Sequence, residues 1–326
     1  MNKSYILSTG SYLPRRVLSN EDIALKVDTN DEWIRKRSGI VTRHIANENE
    51  VTSDLAVKAA INAIEKTNIS NIDFIVVATT TPDKTFPSCA TIVQHKLGYV
   101  NCFAFDVQAA CAGFLYALTV ADALLKSSSS SKDQNALVIG ADIMSRVLDW
   151  KDRSTCVLFG DGGGAVILGS KQNGSEDGCI LSTHLHSDGN IDVLYTNGGV
   201  STTGYSGTVC MRGQELFKLA VEKLVSIVEE TLMLNKIKIT DIGYLIPHQA
   251  NIRIIQAVAA RLGFPIEKIA ITIEKHANTS AASIPLALDY AARESKIKAG
   301  DLVLLIAIGA GLTWGSVLFR YSENKH

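Results

Sequence analysis

Three side chains in this chain, Cys111, His248 and Asn278, have the types and settings that could do chemistry together. Cys111 lies in Phe105-Asp-Val-Gln-Ala-Ala-Cys-Ala-Gly-Phe-Leu-Tyr-Ala-Leu118, which begins as a short apolar strand. From Ala109 to Gly113 the run narrows to very small residues and then becomes a helical pattern, so the cysteine sits at a strand-to-helix elbow. Unpaired N–H groups and partial positive charge at a helix N-terminus bias such a thiol toward thiolate, the form that attacks carbonyl carbon. Taken alone, the residue reads equally well as a buried cysteine in an alanine-rich helix.

The elements that position it occur twice. Strand Phe74-Ile-Val76 is answered by Tyr244-Leu-Ile246 at an offset of 170. Phe103-Ala-Phe105 is answered by Ile271-Thr-Ile273 at 168, and Ala136-Leu-Val138 by Leu302-Val-Leu304 at 166. Nearly equal offsets predict an internal duplication, with helix-strand alternation predicting parallel strands and right-handed crossovers in stacked α/β layers. The Gly-, Ser-, Asn- and Thr-rich stretch from 172 to 207 marks the boundary, giving halves 1–171 and 172–326. Opposite the Cys111 elbow, the second half carries His276-Ala-Asn-Thr-Ser-Ala-Ala-Ser283. Opposite Thr79-Thr-Thr-Pro82 it carries Pro247-His-Gln-Ala-Asn251. Ligands of open α/β sheets bind beyond the carboxyl ends of strands, where Cys111, His248 and Asn278 all fall, so the three can converge on one pocket.

The rest of the chain sets limits. Its 326 residues, 46% hydrophobic and 20% charged, are enough for a large duplicated globular fold, and a net charge of −1 gives no general pull toward nucleic acid or membrane. Six isolated cysteines without a Cys-x-x-Cys pair suggest a reducing cytosol. The uncharged run Leu302–Phe319 is broken by Gly309-Ala-Gly311 and Gly315, which predicts two buried strands and a turn rather than a membrane span. Asp161-Gly162, between apolar runs, predicts a hairpin turn rather than a phosphate loop. His184 and His186 alternate along a strand with no carboxylate or cysteine pattern to complete a metal site. Trp33 with Arg35, Lys36, Arg37 and Arg43 makes an aromatic and basic cluster suited to a nucleotide carrying phosphates, or an ordinary solvated helix face. Lys126 to Lys132 is a low-complexity surface loop.

Ala110-Cys-Ala-Gly-Phe114, Phe159-Gly-Asp-Gly162, Pro247-His-Gln-Ala-Asn251, His276 to Ser283 and Thr313-Trp-Gly-Ser316, in this order, resemble β-ketoacyl-acyl-carrier-protein synthase III, a thiolase-superfamily condensing enzyme. The resemblance runs from Gly10 to Phe319. It implies an α/β fold, a thiolase-like duplicated five-layer α-β-α-β-α sandwich, in a cytoplasmic homodimer. The implied reaction is decarboxylative Claisen condensation of a short acyl-CoA, acetyl-CoA foremost, with malonyl-acyl carrier protein. Its product, a β-ketoacyl-acyl carrier protein, initiates type II fatty acid biosynthesis.

By the same resemblance Cys111 carries the acyl group, and His248 and Asn278 hold the enolate left by decarboxylation. The backbone N–H groups of Cys111 and Ala310 serve the oxyanion. Trp33, Arg37, Arg153 and Asn251 fall where coenzyme A is held, Phe86 where a residue enters the partner subunit's acyl pocket, and Lys218 and Arg253 where acyl carrier protein docks. No metal or redox cofactor is implied. The chain departs from the family pattern at Ala277 and Ala310, where glycines are common, and at Gln214, where asparagine is. Because alanine avoids positive φ, Ala310 predicts a slightly altered oxyanion loop. A condensing enzyme of specialised metabolism is the alternative. A papain-like hydrolase shares the order Cys, His, Asn but has a Cys-Gly-Ser-Cys-Trp signature that Cys111 lacks. A non-catalytic subunit would not need all three polar residues.

Overall fold

The computed structural model describes residues 2–128, 132–172 and 178–322. From the amino end run β1 (Asn2–Tyr12), β2 (Arg16–Ser19), α1 (Asn20–Ala24), α2 (Asp31–Ser38), β3 (Thr42–Ile45), α3 (Thr52–Ile64) and β4 (Phe74–Ala78). There follow α4 (Cys89–Leu97), β5 (Phe103–Val107), α5 (Gly113–Ser127), β6 (Asn135–Ile143), α6 (Arg153–Cys156) and β7 (Asp161–Gln172). The remainder is β8 (Ile180–Ser187), β9 (Leu194–Thr196), β10 (Val209–Met211), α7 (Gly213–Asn235), β11 (Ile242–Pro247), α8 (Ile252–Leu262), α9 (Ile273–His276), α10 (Ser283–Arg293), β12 (Leu302–Gly309) and β13 (Thr313–Arg320). Part of the Lys126–Lys132 loop lies outside the described residues.

Two sheets carry the architecture, ordered β1-β7-β6-β4-β5 and β11-β12-β13-β8. Both are mixed. β4 runs parallel to β5 and β6, and β11 parallel to β12, while β7 and β13 turn back antiparallel. An all-parallel arrangement, as the helix-strand alternation suggested, does not account for the antiparallel returns β6–β7, through α6, and β12–β13, through a short turn. The correspondence is β4 with β11, β6 with β12, β7 with β13 and β1 with β8. The partner of β5 is reduced to a single parallel bridge, Leu245 to Ile269.

Five layers follow from which faces are apolar. Leu115, Leu118 and Phe114 of α5 and Ile284, Leu288 and Ala291 of α10 pack in one cluster with Val76, Val138 and Val166 of the first sheet and Val303, Leu305 and Val317 of the second. The two helices are therefore the middle layer. Opposite faces of the sheets are covered by α3 and α4 on one side and α7 and α8 on the other. Full burial of each large apolar side chain in such a layer contributes about 1.5–3 kcal/mol. The segment Ala110–Ser127 is long and apolar enough to cross a membrane by length and composition, but here it is the central core helix between two sheets.

Two local expectations fail for physical reasons. Ile271-Thr-Ile273 is not a strand: the buried Gln249 Oε1 accepts the N–H groups of Thr272 and Ile273, and Ile273 opens α9. Asp161-Gly162 is not a hairpin. The Asp161 carboxylate accepts the N–H groups of Ala46 and Ser145, and β7 runs on from it without a turn. A Cβ on Gly163 would lie 2.7 Å from Leu55 O and one on Gly164 2.7 Å from Pro285 Cβ, so the glycines let α3 and α10 approach β7 closely. The glycine turn between β12 and β13 is present as expected.

Candidate active site

Ala110-Cys-Ala112 forms a single 3-10 turn between β5 and α5, entered through Ala110 at φ 46°. Gly309, the last residue of β12, presses against it: a Cβ there would lie 2.7 Å from Cys111 N. Cys111 is 6% exposed. Burial, with a smaller push from the Asp142 charge, raises its thiol to about 12, partly offset by a hydrogen bond with the Ser280 side chain. Desolvation thus opposes the bias toward thiolate that the helix terminus supplies.

The second elbow, Ser280-Ala-Ala282, is another 3-10 turn, entered through Ser280 at φ 52° and continuing into α10. It fixes two donors. Asn278 Oδ1 accepts the Ser280 N–H at 2.9 Å, which leaves the amide nitrogen of Asn278 as its free donor. His248 follows β11, its N–H bonded to Ile306 O at 2.8 Å. Its Nδ1 lies 2.9 Å from Ser283 Oγ, and the Gln249 N–H donates to that same oxygen at 2.7 Å. Ser283 has no other acceptor for its hydroxyl hydrogen among the described bonds, so His248 Nδ1 accepts and Nε2 carries the ring hydrogen. Burial lowers the histidine to about 3, so the ring stays neutral.

Cys111, His248 and Asn278 line one cavity of about 140 Å³, with Phe159, Ala250 and Ile308. Cys111 also opens on a second cavity of about 330 Å³ that Ala310, Phe159, Met144 and Leu194 line. An outer cleft of about 500 Å³ shares Leu158, Met211, Phe217 and Asn251 with the first and brings in Trp33, Arg37, Lys218, Gln214 and Arg253. Arg153 stands 4.9 Å and Arg37 5.8 Å from the Trp33 ring centre. Asn251 is partly engaged, donating to Arg37 O and capping α8. Phe86 is 83% exposed and lines none of these three spaces.

Ala310 is not at positive φ; in this loop Gly311 is, at 129°, so the altered loop expected there is corrected. Of these two departures from glycine, the strained one is Ala277, at φ 58° and ψ −162°. His184 and His186 do have a carboxylate nearby, since Glu230 of α7 comes within 3.8 Å and 2.8 Å of their ring nitrogens. Among the described residues no group of three such side chains could hold a metal ion. Sequence reasoning passed over Ser280, Ser283 and Asp142. The first two look like ordinary small residues of a helix start. Asp142 carried a readable signal, an acid at the end of the apolar run Ala136–Ile143.

Residues 105–189 match the family model of 3-oxoacyl-[acyl-carrier-protein] synthase III, and residues 232–321 that of its C-terminal part. A β-ketoacyl-[acyl-carrier-protein] synthase III of Wolbachia pipientis wMel is 69% identical over 98% of this chain and 100% of its own length; one from Ehrlichia canis is 55% identical over the same shares. The Aquifex aeolicus 3-oxoacyl-[acyl-carrier-protein] synthase III structure superposes with a TM-score of 0.91 at 46% identity, covering 98% of this chain and 100% of that one. The priming β-ketosynthase of the R1128 polyketide pathway gives 0.91 at 33%, covering 98% and 97%. A thiolase-like double sandwich with this elbow cysteine defines a condensing acyltransferase. More narrowly, the chain belongs to the β-ketoacyl-[acyl-carrier-protein] synthase III family, which initiates fatty acid synthesis by condensation.

Proposed function

We propose that the chain condenses a short acyl-CoA, acetyl-CoA foremost, with malonyl-acyl carrier protein by way of an acyl-Cys111 intermediate. The observation that carries this is the one cavity shared by a thiol and two neutral donors, His248 Nε2–H and the Asn278 amide. The outer cleft supports coenzyme A binding, with the nucleotide against Trp33, Arg37 and Arg153 and the pantetheine arm passing Asn251. Lys218 and Arg253 at its rim suit an acidic carrier protein. The cavity behind Cys111 takes the acyl chain, and in a cytoplasmic homodimer Phe86 of one subunit reaches toward the other's acyl pocket.

In the first half-reaction the Cys111 sulfur attacks the thioester carbon. The C–S bond to coenzyme A breaks, and the thiol proton leaves with the coenzyme A sulfur. The Cys111 and Ala310 N–H groups hold the transient oxyanion. In the second, malonyl thioester loses carbon dioxide and its enolate oxygen takes hydrogen bonds from His248 and Asn278. The enolate carbon attacks the acyl-cysteine and releases the β-ketoacyl product, and the Cys111 sulfur recovers a proton. Each donor is worth about 3 kcal/mol of transition-state stabilisation. Catalysis needs only the chain's own groups.

Intact-mass spectrometry tests the reading. Acetyl-CoA is expected to add about 42 Da, on Cys111, and malonyl-acyl carrier protein to discharge it. No adduct from any short acyl-CoA would overturn it. A panel of straight and branched acyl-CoAs then separates a housekeeping role from a specialised one.

A further inference from the structure

Asp142 is a fully buried acid at the end of β6, with no cation among its hydrogen-bond partners in the described residues. Oδ1 accepts from the hydroxyls of Thr79, Thr80 and Thr81 at 3.0 Å each and from the N–H groups of Thr80 and Thr81 at 2.7 and 3.2 Å. Oδ2 reaches across to the second half and accepts the Ala281 N–H at 3.0 Å. Six donors around two oxygens satisfy a buried carboxylate without an ion pair. They also tie the loop after β4 to the elbow before α10.

Ala281 is the second-half counterpart of Cys111: both are the middle residue of a 3-10 turn entered at positive φ, 170 positions apart. The turn that Asp142 grips, with the residues on either side of it, touches each of the three side chains of the proposed chemistry. Ser280 orients the Asn278 amide and bonds the Cys111 side chain, and Ser283 sets the His248 ring. Resting on the condensation reading above, we propose that Asp142 is a positioning residue for the decarboxylation half-reaction. Its carboxylate takes the anion's place at the second elbow, and so holds the two enolate donors in register with Cys111.

An amide at this position must turn its NH2 group toward either the Thr80 and Thr81 N–H groups or the Ala281 N–H, and so loses the grip on one side. A shift on the order of 1 Å in a positioned group costs on the order of 10²-fold in rate. Acylation of Cys111, whose oxyanion donors lie outside this turn and which meets it only through Ser280, is affected far less.

The test is single-turnover kinetics of the two half-reactions in Asp142→Asn, with wild type as control. Expected is Cys111 acylation by acetyl-CoA within about threefold of wild type, while condensation of the acyl-enzyme with malonyl-acyl carrier protein falls about 100-fold. A merely structural loss lowers both rates by one factor, following the folded fraction, and that result would overturn the proposal, as would unchanged condensation. Should Asp142→Asn not fold, Thr79→Val removes one donor to Asp142 at constant shape, the Thr81 N–H that the Thr79 hydroxyl also accepts keeping its bond to Asp142. It is expected to slow condensation about fivefold with acylation unchanged, and parallel loss or no change overturns the proposal. If wild type forms no acyl-Cys111, the condensation reading itself fails, independently of Asp142.

Discussion

The elbows at Cys111 and Ala281 are the same turn built twice, and they differ in what meets them. At Ala281 a carboxylate oxygen of Asp142 bonds the turn's N–H from the end of β6. At Cys111 the end of β12 supplies only Gly309, packed against the backbone nitrogen, and the turn opens on two cavities. One turn is closed by the protein's own anion; the other is open, and in the proposed reaction it is the one that meets a substrate. A geometry that holds an anionic oxygen at 281 supports the oxyanion role of the equivalent N–H at 111.

Breaking the first elbow should have the largest effects. Cys111→Ala should abolish acylation and lower condensation by about 10⁴-fold or more, read by intact mass and product formation. Gly309→Ala puts a methyl group where a Cβ would lie 2.7 Å from Cys111 N. It should slow acylation about 100-fold and also lower the melting temperature, since the three nearest atoms are all backbone.

Much of this comparison was legible in the sequence. The offsets of 170 and 166 located the duplication, and the small residues 109–113 and 277–283 marked both elbows. The roles of Ser280, Ser283 and Asp142 were not legible, because each is defined by a partner 35 to 169 residues away in sequence. The missing strand at 271–273 has the same origin, since β-branched residues there lost out to a buried glutamine amide. Local propensity is silent about such tertiary ties.

Acid and base should sharpen the contrast between the two sites. His248 titrates near 3 when folded and 6.5 when unfolded, so the unfolded chain binds more protons between these values. Stability is therefore present above 6.5 and lost as pH falls, by roughly 1.4 kcal/mol per unit for this group alone. Cys111, raised from 9.0 to about 12, favours unfolding as pH climbs past 9. Denaturant titrations should be most favourable between the two limits, and His248→Gln should flatten the acid side. A smaller gain is expected at the second elbow. Ala277 at φ 58° and ψ −162° occupies a region suited to glycine, so Ala277→Gly should raise stability by roughly 1 kcal/mol, read as a melting increase of about 2 °C.

The division of labour between the elbows is tested most directly by the two half-reactions of Asn278→Asp. The account predicts Cys111 acylation at close to the wild-type rate, with decarboxylative condensation reduced by about 10²–10³-fold. Loss of acylation in step with condensation, or condensation at the wild-type rate, would contradict it.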